Sequence, residues 1–287
     1  MPEEKGEGGK PLGNIGIIAG SGQFPLLVAR AVRAGGAGVF ICGFEEQTGE
    51  ELEGEADEFI RIHIGQLGRL LSFFKKNEVA AVCLAGAIKK SRALNLRPDL
   101  RAARLLFKLY KNHGDDAILR AVLEELQAEG LEVVPASAFV PDLLGPAGTL
   151  SRRKPGPEEW KSIRHGWGIG KSLGAYDIGQ CLVLRKNMVV AVEALEGTDA
   201  VLERGGELGG EGCVALKMLK PGQDTRVDLP SVGLETIRIL TRLRYACLAY
   251  EAGSTLFFDR SPALALADGR GLAVVGLRPE DLQSTLS

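Results

Sequence analysis

Residues 15–25, IGIIAGSGQFP, decide the fold class of this chain. The apolar run IGIIA is typical of a buried strand, and the GSG that follows it predicts a tight turn. Beyond the turn, apolar residues recur at the spacing of one helical face: Phe24, Leu27, Val28, Ala31 and Val32. A strand, a glycine turn and an amphipathic helix in this order predict the first unit of a parallel sheet.

The rest of the N-terminal half continues this alternation of strands and helices. We predict strands at VFICGF, RIHI (residues 61–64), VAAVCLAG and LEVVP, and helices around residues 67–74, 99–111 and 115–129. Together these elements predict a Rossmann-like domain with a parallel sheet over residues 13–145. Residues 141–157 are rich in proline, glycine and charge, which is typical of a linker.

The C-terminal half has a different pattern. A helix is predicted over about residues 158–173, and CLVLRKNMVVAVEA predicts a hairpin that turns at Lys186 and Asn187. CVALKML, YACLAYEAG, TLFFD and LAVVG are further candidate strands, separated by short helices. We therefore predict a second α/β domain, with a mixed sheet, over residues 146–287.

The composition limits the class of function. The 287 residues carry a formal net charge of −2, so no overall field attracts nucleic acid, and we expect no nucleic-acid partner. We expect neither a signal peptide nor a membrane span, because the sequence lacks the apolar runs that both require. Five scattered cysteines predict reduced core residues of a cytoplasmic protein. Peripheral attachment to a membrane stays open.

The first candidate site is the turn Gly20, Ser21, Gly22. It lies between a predicted strand and a predicted helix, where backbone N–H groups and the helix dipole can receive a phosphate. Pro25 stands where the third glycine of a dinucleotide fingerprint would be, so the motif is weak evidence for NAD. A tight turn without a ligand explains the same residues.

The second candidate site is EALEGTDAVLE. It places Glu196, Thr198 and Asp199 between the end of a predicted strand and the start of a predicted helix. As an N-cap, Thr198 would explain one of the three residues. Two carboxylates at the exit of a strand are better explained by a cation or a reacting group, because α/β folds bind ligands there.

The third candidate site is KPGQDTRVDLPSVG, which begins at Lys220. Lys220 and Arg226, together with the earlier Lys217, can neutralise phosphate oxygens, while Asp224 and Asp228 can hold a hard cation or orient water. If the segment is extended, Arg226 and Asp228 project to the same side. A surface loop of mixed charge is the structural alternative.

Other chemistries are less well supported. Three histidines stand far apart without the spacing of zinc ligands: His63, His113 and His165. The sequence has no clear serine elbow and no Cys–His pair. The remaining carboxylates, basic residues and glycine turns are suited to magnesium-assisted attack of water on a phosphoanhydride.

Eight segments, in their order and spacing, carry a resemblance to a known family. They are GIIAGSGQFP, LAGAIKK, GDDAILR, DIGQ, AVEALEGTDA, KPGQDTRVDLPSVG, EAGSTLFFDR and LAVVG. The chain resembles the magnesium-dependent UDP-2,3-diacylglucosamine pyrophosphatases of lipid A biosynthesis, the type unrelated to calcineurin-like phosphoesterases. The resemblance spans nearly the whole chain.

The resemblance implies a fold and a reaction. It implies two α/β domains with the active site in the cleft between them. It also implies a hydrolase that releases UMP and 2,3-diacylglucosamine 1-phosphate from the UDP-linked acylated glucosamine. Mg²⁺ is the implied cofactor, a homodimer the implied assembly, and the inner face of the inner membrane a possible site of peripheral contact.

The resemblance also suggests roles for individual residues. The aspartate of the D-L-P element falls on Asp228, which we expect to be catalytic, as a magnesium ligand or general base. We expect Asp199 and Arg226 to assist it, and Asp224 and Glu196 to be further metal ligands. The expected substrate-binding residues are Gly20, Ser21, Gly22, Thr198, Lys217, Lys220, Gln223, Asp177 and Gln180.

Two alternatives stay open at this point. The chain could hydrolyse a different nucleotide diphosphate, because a family resemblance transfers the reaction class more safely than the acylated substrate. It could also bind a nucleotide without catalysis, with the acidic residues serving structure. An oxidoreductase that uses the GSG turn is a more distant third.

Overall fold

A computed structural model describes residues 13–88, 97–108 and 115–282. His113 and the two lysines of LAGAIKK lie outside the described residues. By their contacts, the residues form two compact units. The first contains the chain up to Pro141 together with Arg226–Asp228, and the second contains Asp142–Thr225 and the chain from Leu229 onward.

The first unit contains a parallel sheet. Its strands are β1 Ile15–Ala19, β2 Val39–Phe44, β3 Glu58–Ile62, β4 Ala81–Ala85 and β5 Glu132–Val133. Every neighbouring pair is parallel, and the order across the sheet is β3-β2-β1-β4-β5. This order matches the first five strands of a Rossmann sheet, so the predicted Rossmann-like domain is confirmed.

Helices cover both faces of this sheet. They are α1 Phe24–Ala34, α2 Leu67–Lys76, α3 Leu100–Lys108 and α4 Asp115–Ala128. Neighbouring residues of a strand point to opposite faces, so Ile17 packs in the same cluster as Val28 of α1, and Ile18 in the same cluster as Leu71 of α2. All four apolar residues that predicted α2 lie in its cluster, whereas Phe24, Val28 and Val32 of those that predicted α1 lie in the other cluster and Leu27 and Ala31 do not.

The third strand begins earlier in the sequence than predicted. We expected it at residues 61–64, whereas β3 spans Glu58–Ile62. Its last residue, Ile62, pairs with Phe44 at the end of β2, so the pairing stops there. β3 is an edge strand with four half-exposed residues, and half-exposed strands carry a weak apolar signal.

The second unit contains a larger, mixed sheet. The strands of this unit are β6 Gly148–Thr149, β7 Cys181–Arg185, β8 Met188–Val192, β9 Val214–Lys217, β10 Ser231–Val232, β11 Cys247–Glu251, β12 Leu256–Phe257 and β13 Ala273–Leu277. The main sheet has the order β6-β13-β11-β9-β7-β8, and β10 pairs separately with β12. Parallel and antiparallel pairs both occur, so the predicted mixed sheet is confirmed.

Helices flank this sheet as well. They are α5 Pro157–Ala175, α6 Thr198–Gly209, α7 Leu234–Arg242 and α8 Arg260–Arg270. Trp167 of α5 packs with Leu182 in one core cluster, and Leu202 of α6 packs with Val183 in another.

Short 3₁₀ turns occur in both units, at Glu50–Glu55, Ala136–Ala138, Pro141–Leu143 and Pro279–Leu282.

The predicted hairpin in this unit is confirmed. β7 and β8 pair antiparallel and are joined by Lys186 and Asn187, whose φ angles are 47° and 65°. Positive φ at both central residues identifies the two-residue turn whose twist fits neighbouring strands. Asparagine tolerates this conformation better than most residues.

The charged segment that follows β9 is a series of turns. The backbone N–H of Gln223 donates to Lys220 O over 3.2 Å, and Gly222 has a φ of 76°. A second turn covers residues 225–227. The prediction that Arg226 and Asp228 lie in one extended stretch is therefore wrong. The Pro-Gly pair at 221–222 favours a turn over a strand.

The cysteines lie where the sequence predicts. All five are free and buried: Cys42, Cys83, Cys181, Cys213 and Cys247. Burial raises the pKa of the Cys83 and Cys181 thiols to about 12, so both remain protonated and unreactive at neutral pH. Among the described helices, none combines the length and apolarity that a membrane crossing needs.

Candidate active site

The carboxyl-terminal edge of the second sheet carries buried charges. β8, β9 and β11 run in the same direction, because β7 is antiparallel to β8 and β9 while β11 is parallel to β9. Glu193 follows β8, Lys217 ends β9 and Glu251 ends β11; they are 7%, 3% and 8% exposed. Charged residues are rarely buried so deeply unless they are paired. Because ligands bind at this edge in α/β folds, it is a candidate site.

Lys217, Thr198 and Glu193 form one hydrogen-bonded network. The Lys217 ammonium donates to Thr198 Oγ1, and the Thr198 hydroxyl donates to Glu193 Oε1 over 2.9 Å. Glu193 Oε2 lies 3.8 Å from Lys217 Nζ and accepts a hydrogen bond of 3.4 Å from the backbone N–H of Gln180. Three of the predicted substrate-binding residues, Thr198, Gln180 and Lys217, therefore meet around Glu193.

The start of α6 explains the position of Thr198. The N-cap residue is Gly197, and Thr198 is the first residue of the helix. The alternative in which Thr198 is the N-cap is therefore wrong, because its hydroxyl is turned toward Glu193. Gln180 Oε1 is buried as well, and no hydrogen-bond donor reaches it within the described part of the chain.

Asp199 lies in the first turn of α6, beside this network. The residue has an exposed surface, yet the surrounding protein displaces enough water to raise the pKa of its carboxyl group above the usual range. The positive charge of Lys217 opposes this shift, while the negative charges of Glu235, Glu203 and Glu193 add to it. A carboxyl group with a raised pKa is suited to exchanging a proton.

Glu196 has other contacts. Its Oε1 accepts a hydrogen bond from the Arg204 guanidinium, and its Oε2 accepts one of 3.1 Å from the backbone N–H of Ala194. The hydrogen bond from Arg204 is the main reason that the pKa of Glu196 is lowered. As a metal ligand, Glu196 would have to exchange Arg204 for the cation.

A second group of predicted residues surrounds Lys220. Its ammonium forms an ion pair with Asp177, and its backbone N–H donates to Gln223 Oε1 over 3.3 Å. Asp177 precedes β7 and has a φ of 57°. Three predicted substrate-binding residues, Asp177, Lys220 and Gln223, therefore lie together.

A partly buried ion pair holds the backbone just before Lys220. Lys171 Nζ lies 2.6 Å from Glu251 Oε2 and also donates to Leu219 O over 2.9 Å. Glu251 Oε2 accepts a further hydrogen bond of 2.9 Å from the backbone N–H of Leu219. The charged segment thus leaves β9 from a fixed point.

The GSG turn lies in the first unit, after β1. The backbone N–H of Gly20 donates to Ala85 O, and that of Ser21 donates to Ala87 O, each over 2.8 Å. A Cβ at Gly20 would lie 2.6 Å from Ala87 O, so the two loops approach too closely for any other residue. Gly22 has a φ of 92°. The tight turn that the sequence left open explains these contacts, and two of the N–H groups are already bonded to protein.

Asp224, Arg226 and Asp228 are divided between the units. Arg226–Asp228 group with the first unit, where Val227 packs against the hydrophobic cluster of α2 and α4, whereas Asp224 belongs to the second. Within the residues that the structure describes, no three His, Cys, Asp or Glu side chains form a cluster that could hold a metal ion. Magnesium often uses only one or two carboxylates and completes its shell with substrate phosphates and water.

Our reading of the sequence missed Glu193, Lys171 and Glu251 as members of the site. Lys171 lies 80 residues from Glu251, and Glu193 meets Lys217 only through a strand order that a single sequence does not reveal. One signal could have found the two glutamates. Both are charged residues at the end of an apolar run, in VVAVE and CLAYE, where parallel strands bring ligands.

Comparison with known proteins follows the same division of the chain. The model of the LpxI N-terminal domain matches residues 14–143, and that of the LpxI C-terminal domain matches residues 146–275. The UDP-2,3-diacylglucosamine pyrophosphatase LpxI of Caulobacter vibrioides is 34% identical over 281 residues, which cover 93% of this chain and 98% of that protein.

Solved structures add little. A UDP-glucose-4-epimerase from Stenotrophomonas maltophila is 17% identical, with 41% of this chain and 34% of that chain covered and a TM-score of 0.29. Glycinamide-RNase-transformylase T from Mycobacterium tuberculosis is 13% identical, with 63% and 44% covered and a TM-score of 0.26. TM-scores this low carry no argument. The two family models, which together match residues 14–143 and 146–275, and the Caulobacter relative, which covers 93% of the sequence, show that this chain belongs to the LpxI family.

Proposed function

We propose that this chain hydrolyses the diphosphate of UDP-2,3-diacylglucosamine to UMP and 2,3-diacylglucosamine 1-phosphate, a reaction of lipid A biosynthesis. The observation that carries the proposal is the 34% identity, over nearly the full length of both chains, to a protein that bears this activity in its name. The network of Lys217, Thr198 and Glu193 supports it, because it holds the Lys217 ammonium at a ligand-binding edge.

The reaction needs a nucleophile and an acceptor for negative charge. A water oxygen forms a bond to one phosphorus, the bond from that phosphorus to the bridging oxygen breaks, and the leaving phosphate keeps the electron pair. In this proposal Lys217, Lys220 and Arg226 neutralise the phosphate oxygens. Asp228 orients the water and takes its proton, and Asp199 is a second group suited to exchanging a proton.

Asp224 and Asp228 are the carboxylates that we propose as ligands of the magnesium ion, and the substrate diphosphate would supply further oxygen atoms. When bound, magnesium would neutralise charge on the diphosphate. Glu196 remains a proposed third ligand, at the cost of its contact with Arg204.

The test is release of UMP from UDP-2,3-diacylglucosamine by the purified protein. We expect release with magnesium and none with EDTA, and activity lowered on the order of 10³-fold in Asp228→Asn and Asp228→Ala. Asp142→Asn is a matched control, since Asp142 lies outside the proposed site. The Asp228 variants should keep the melting temperature of the wild type.

Three results would change this proposal. If a folded wild type released no UMP with any divalent metal, the substrate would be wrong, and other nucleotide diphosphates or simple nucleotide binding would be tested next. Full activity in EDTA would show that the reaction does not need the proposed metal. Wild-type turnover in both Asp228 variants would show that Asp228 does not have its proposed role.

We also propose that α3 contacts the membrane that holds the acylated substrate. Leu100 and Phe107 are 81% and 82% exposed, and Ala103 and Arg104 are exposed beside them on the same face of the helix. The opposite face packs inward through Ala102 and Leu105. A helix face that combines large apolar side chains with a basic residue is typical of proteins that bind anionic lipid surfaces.

Sedimentation with vesicles that contain phosphatidylglycerol tests this contact. Phe107→Ser should weaken binding several-fold, and Leu208→Ser, which changes an exposed leucine of the second unit, should not. Equal binding of both variants would contradict the contact. The homodimer and the cytoplasmic location stay predictions, and analytical ultracentrifugation tests the first of them.

A further inference from the structure

We infer that Glu193 is a positioning residue, which fixes the Lys217 ammonium for a diphosphate, in part through the Thr198 hydroxyl, and does not touch the diphosphate itself. The inference rests on the proposed function and adds a residue to it. Glu193 was not among the expected site residues, yet it makes the central contacts of the network at the carboxyl-terminal edge of the second sheet.

The hydrogen bonds give the Thr198 hydroxyl one orientation. A hydroxyl has one proton to donate, and Thr198 donates it to Glu193 Oε1 over 2.9 Å. The lone pairs of Thr198 Oγ1 then face the Lys217 ammonium, which donates to them. Without the carboxylate, the hydroxyl could rotate and donate elsewhere, so Lys217 would lose a fixed partner.

Charge gives Glu193 a second effect on Lys217. The Lys217 side chain is 4% exposed and that of Glu193 is 9% exposed, and Glu193 Oε2 lies 3.8 Å from Lys217 Nζ. A buried ammonium needs a nearby negative charge to offset its loss of hydration. The Lys217 ammonium has three N–H donors and uses one for the hydrogen bond to Thr198, so the other two can donate to a phosphate oxygen.

Glu193 is poorly suited to contact the substrate itself. Both of its carboxylate oxygens accept hydrogen bonds from the protein, Oε1 from Thr198 and Oε2 from the backbone of Gln180. A carboxylate also repels a diphosphate. Glu193 therefore acts through its neighbours, which distinguishes it from a catalytic residue.

The experiment compares Glu193→Gln with Thr198→Val and with the double variant. Glutamine keeps the shape of the side chain and an acceptor for the Thr198 hydroxyl but removes the charge. The control is Glu211→Gln, which removes the exposed ion pair with Arg244. Two quantities are measured, namely kcat/KM for UMP release and the affinity for UDP by calorimetry, with the melting temperature of every variant.

We expect Glu193→Gln to lower kcat/KM at least tenfold and to weaken UDP binding several-fold. Glu211→Gln should change neither. Because Glu193 and Thr198 both act by fixing Lys217, the double variant will lose less than the product of the two single losses, and this non-additivity is not expected of a residue that only stabilises the fold.

The possible outcomes separate this inference from the proposed function. A wild type that binds UDP but releases no UMP would end the proposed function, while coupled losses of UDP affinity would still support Glu193. An active wild type whose Glu193→Gln variant stays within twofold of Glu211→Gln in both measurements would overturn the inference. Independent, multiplicative losses in the double variant would overturn it too. A wild type that neither binds UDP nor releases UMP would end both.

Discussion

The two sheets of this protein prepare their carboxyl-terminal edges in opposite ways. In the first sheet, β1 and β4 lie side by side where the strand order reverses, and the loops that follow them are joined by backbone hydrogen bonds of Gly20 and Ser21. In the second sheet, the corresponding edge is built from the buried side chains of Glu193, Lys217 and Glu251. One edge depends on the absence of side chains, and the other depends on their charge.

This difference predicts different responses to mutation. The glycine edge should not tolerate added volume at Gly20, because backbone atoms fill the space around that residue. The charged edge should tolerate a change of volume better than a loss of charge, because each buried charge offsets another. Three predictions test the comparison, from the largest expected effect to the smallest.

The largest effect is expected for Lys217→Met. Methionine fills a similar volume but leaves Glu193 without its buried counter-charge. We therefore expect the free energy of unfolding to fall by about 3 kcal/mol and the activity to be lost. Lys161→Met is the control, because Lys161 forms an exposed pair with Glu158. Denaturant titration of both variants measures the effect, and equal losses would show that the charged edge is ordinary surface.

A smaller effect is expected at the glycine edge, where Gly20→Ala and Gly22→Ala can be compared. A Cβ at Gly20 would lie 2.6 Å from Ala87 O, which should cost about 2 kcal/mol as the two loops separate. At Gly22 no atom lies within 4 Å of such a Cβ, but the φ of 92° should cost about 1 kcal/mol. Denaturant titration ranks the two variants, and the reverse order would mean that conformation, and not space, limits this edge.

The smallest effect is expected for Asp199→Asn, and it depends on pH. The pKa of Asp199 is raised in the folded protein, so the protonated carboxyl group favours the folded state. The stability that it contributes is lost as the pH rises through its folded pKa. Asparagine does not titrate. The melting temperature of the variant, relative to wild type, should therefore increase between about pH 3 and about pH 7. A difference that is constant or falls over this range would contradict the raised pKa.

Local patterns predicted most of the fold. The apolar periodicities located β1, α1, β2 and α2, and Lys186 with Asn187 marked the hairpin, because these signals depend on residues close in sequence. The edge strand β3 begins earlier than predicted because four of its five residues are only partly buried, which weakens the apolar signal. The turns near Arg226 were read as extended, since alternating charges resemble a strand when the Pro-Gly pair is ignored.

The candidate site was predicted in part. Thr198 and Lys217 were expected in one site because the family resemblance implies that both bind the substrate, and the structure joins them by a hydrogen bond. Glu193 and Glu251 were missed, because their partners are set by the order of strands across the sheet. The roles of Asp228 and of magnesium depend on chemistry that the activity assay will decide.

The position of β13 has a consequence for synthesis on the ribosome. β13 lies inside the second sheet, between β6 and β11, and Gly148 of β6 pairs with Gly276. The strands of the first sheet have all left the exit tunnel once Val133 has emerged, so that sheet can form while translation continues. The second sheet must wait for Ala273–Leu277, and until then the edge of β11 is open to chaperones and proteases. If translation stopped before this strand, the released chain would have a complete first sheet and a second sheet that lacks β13.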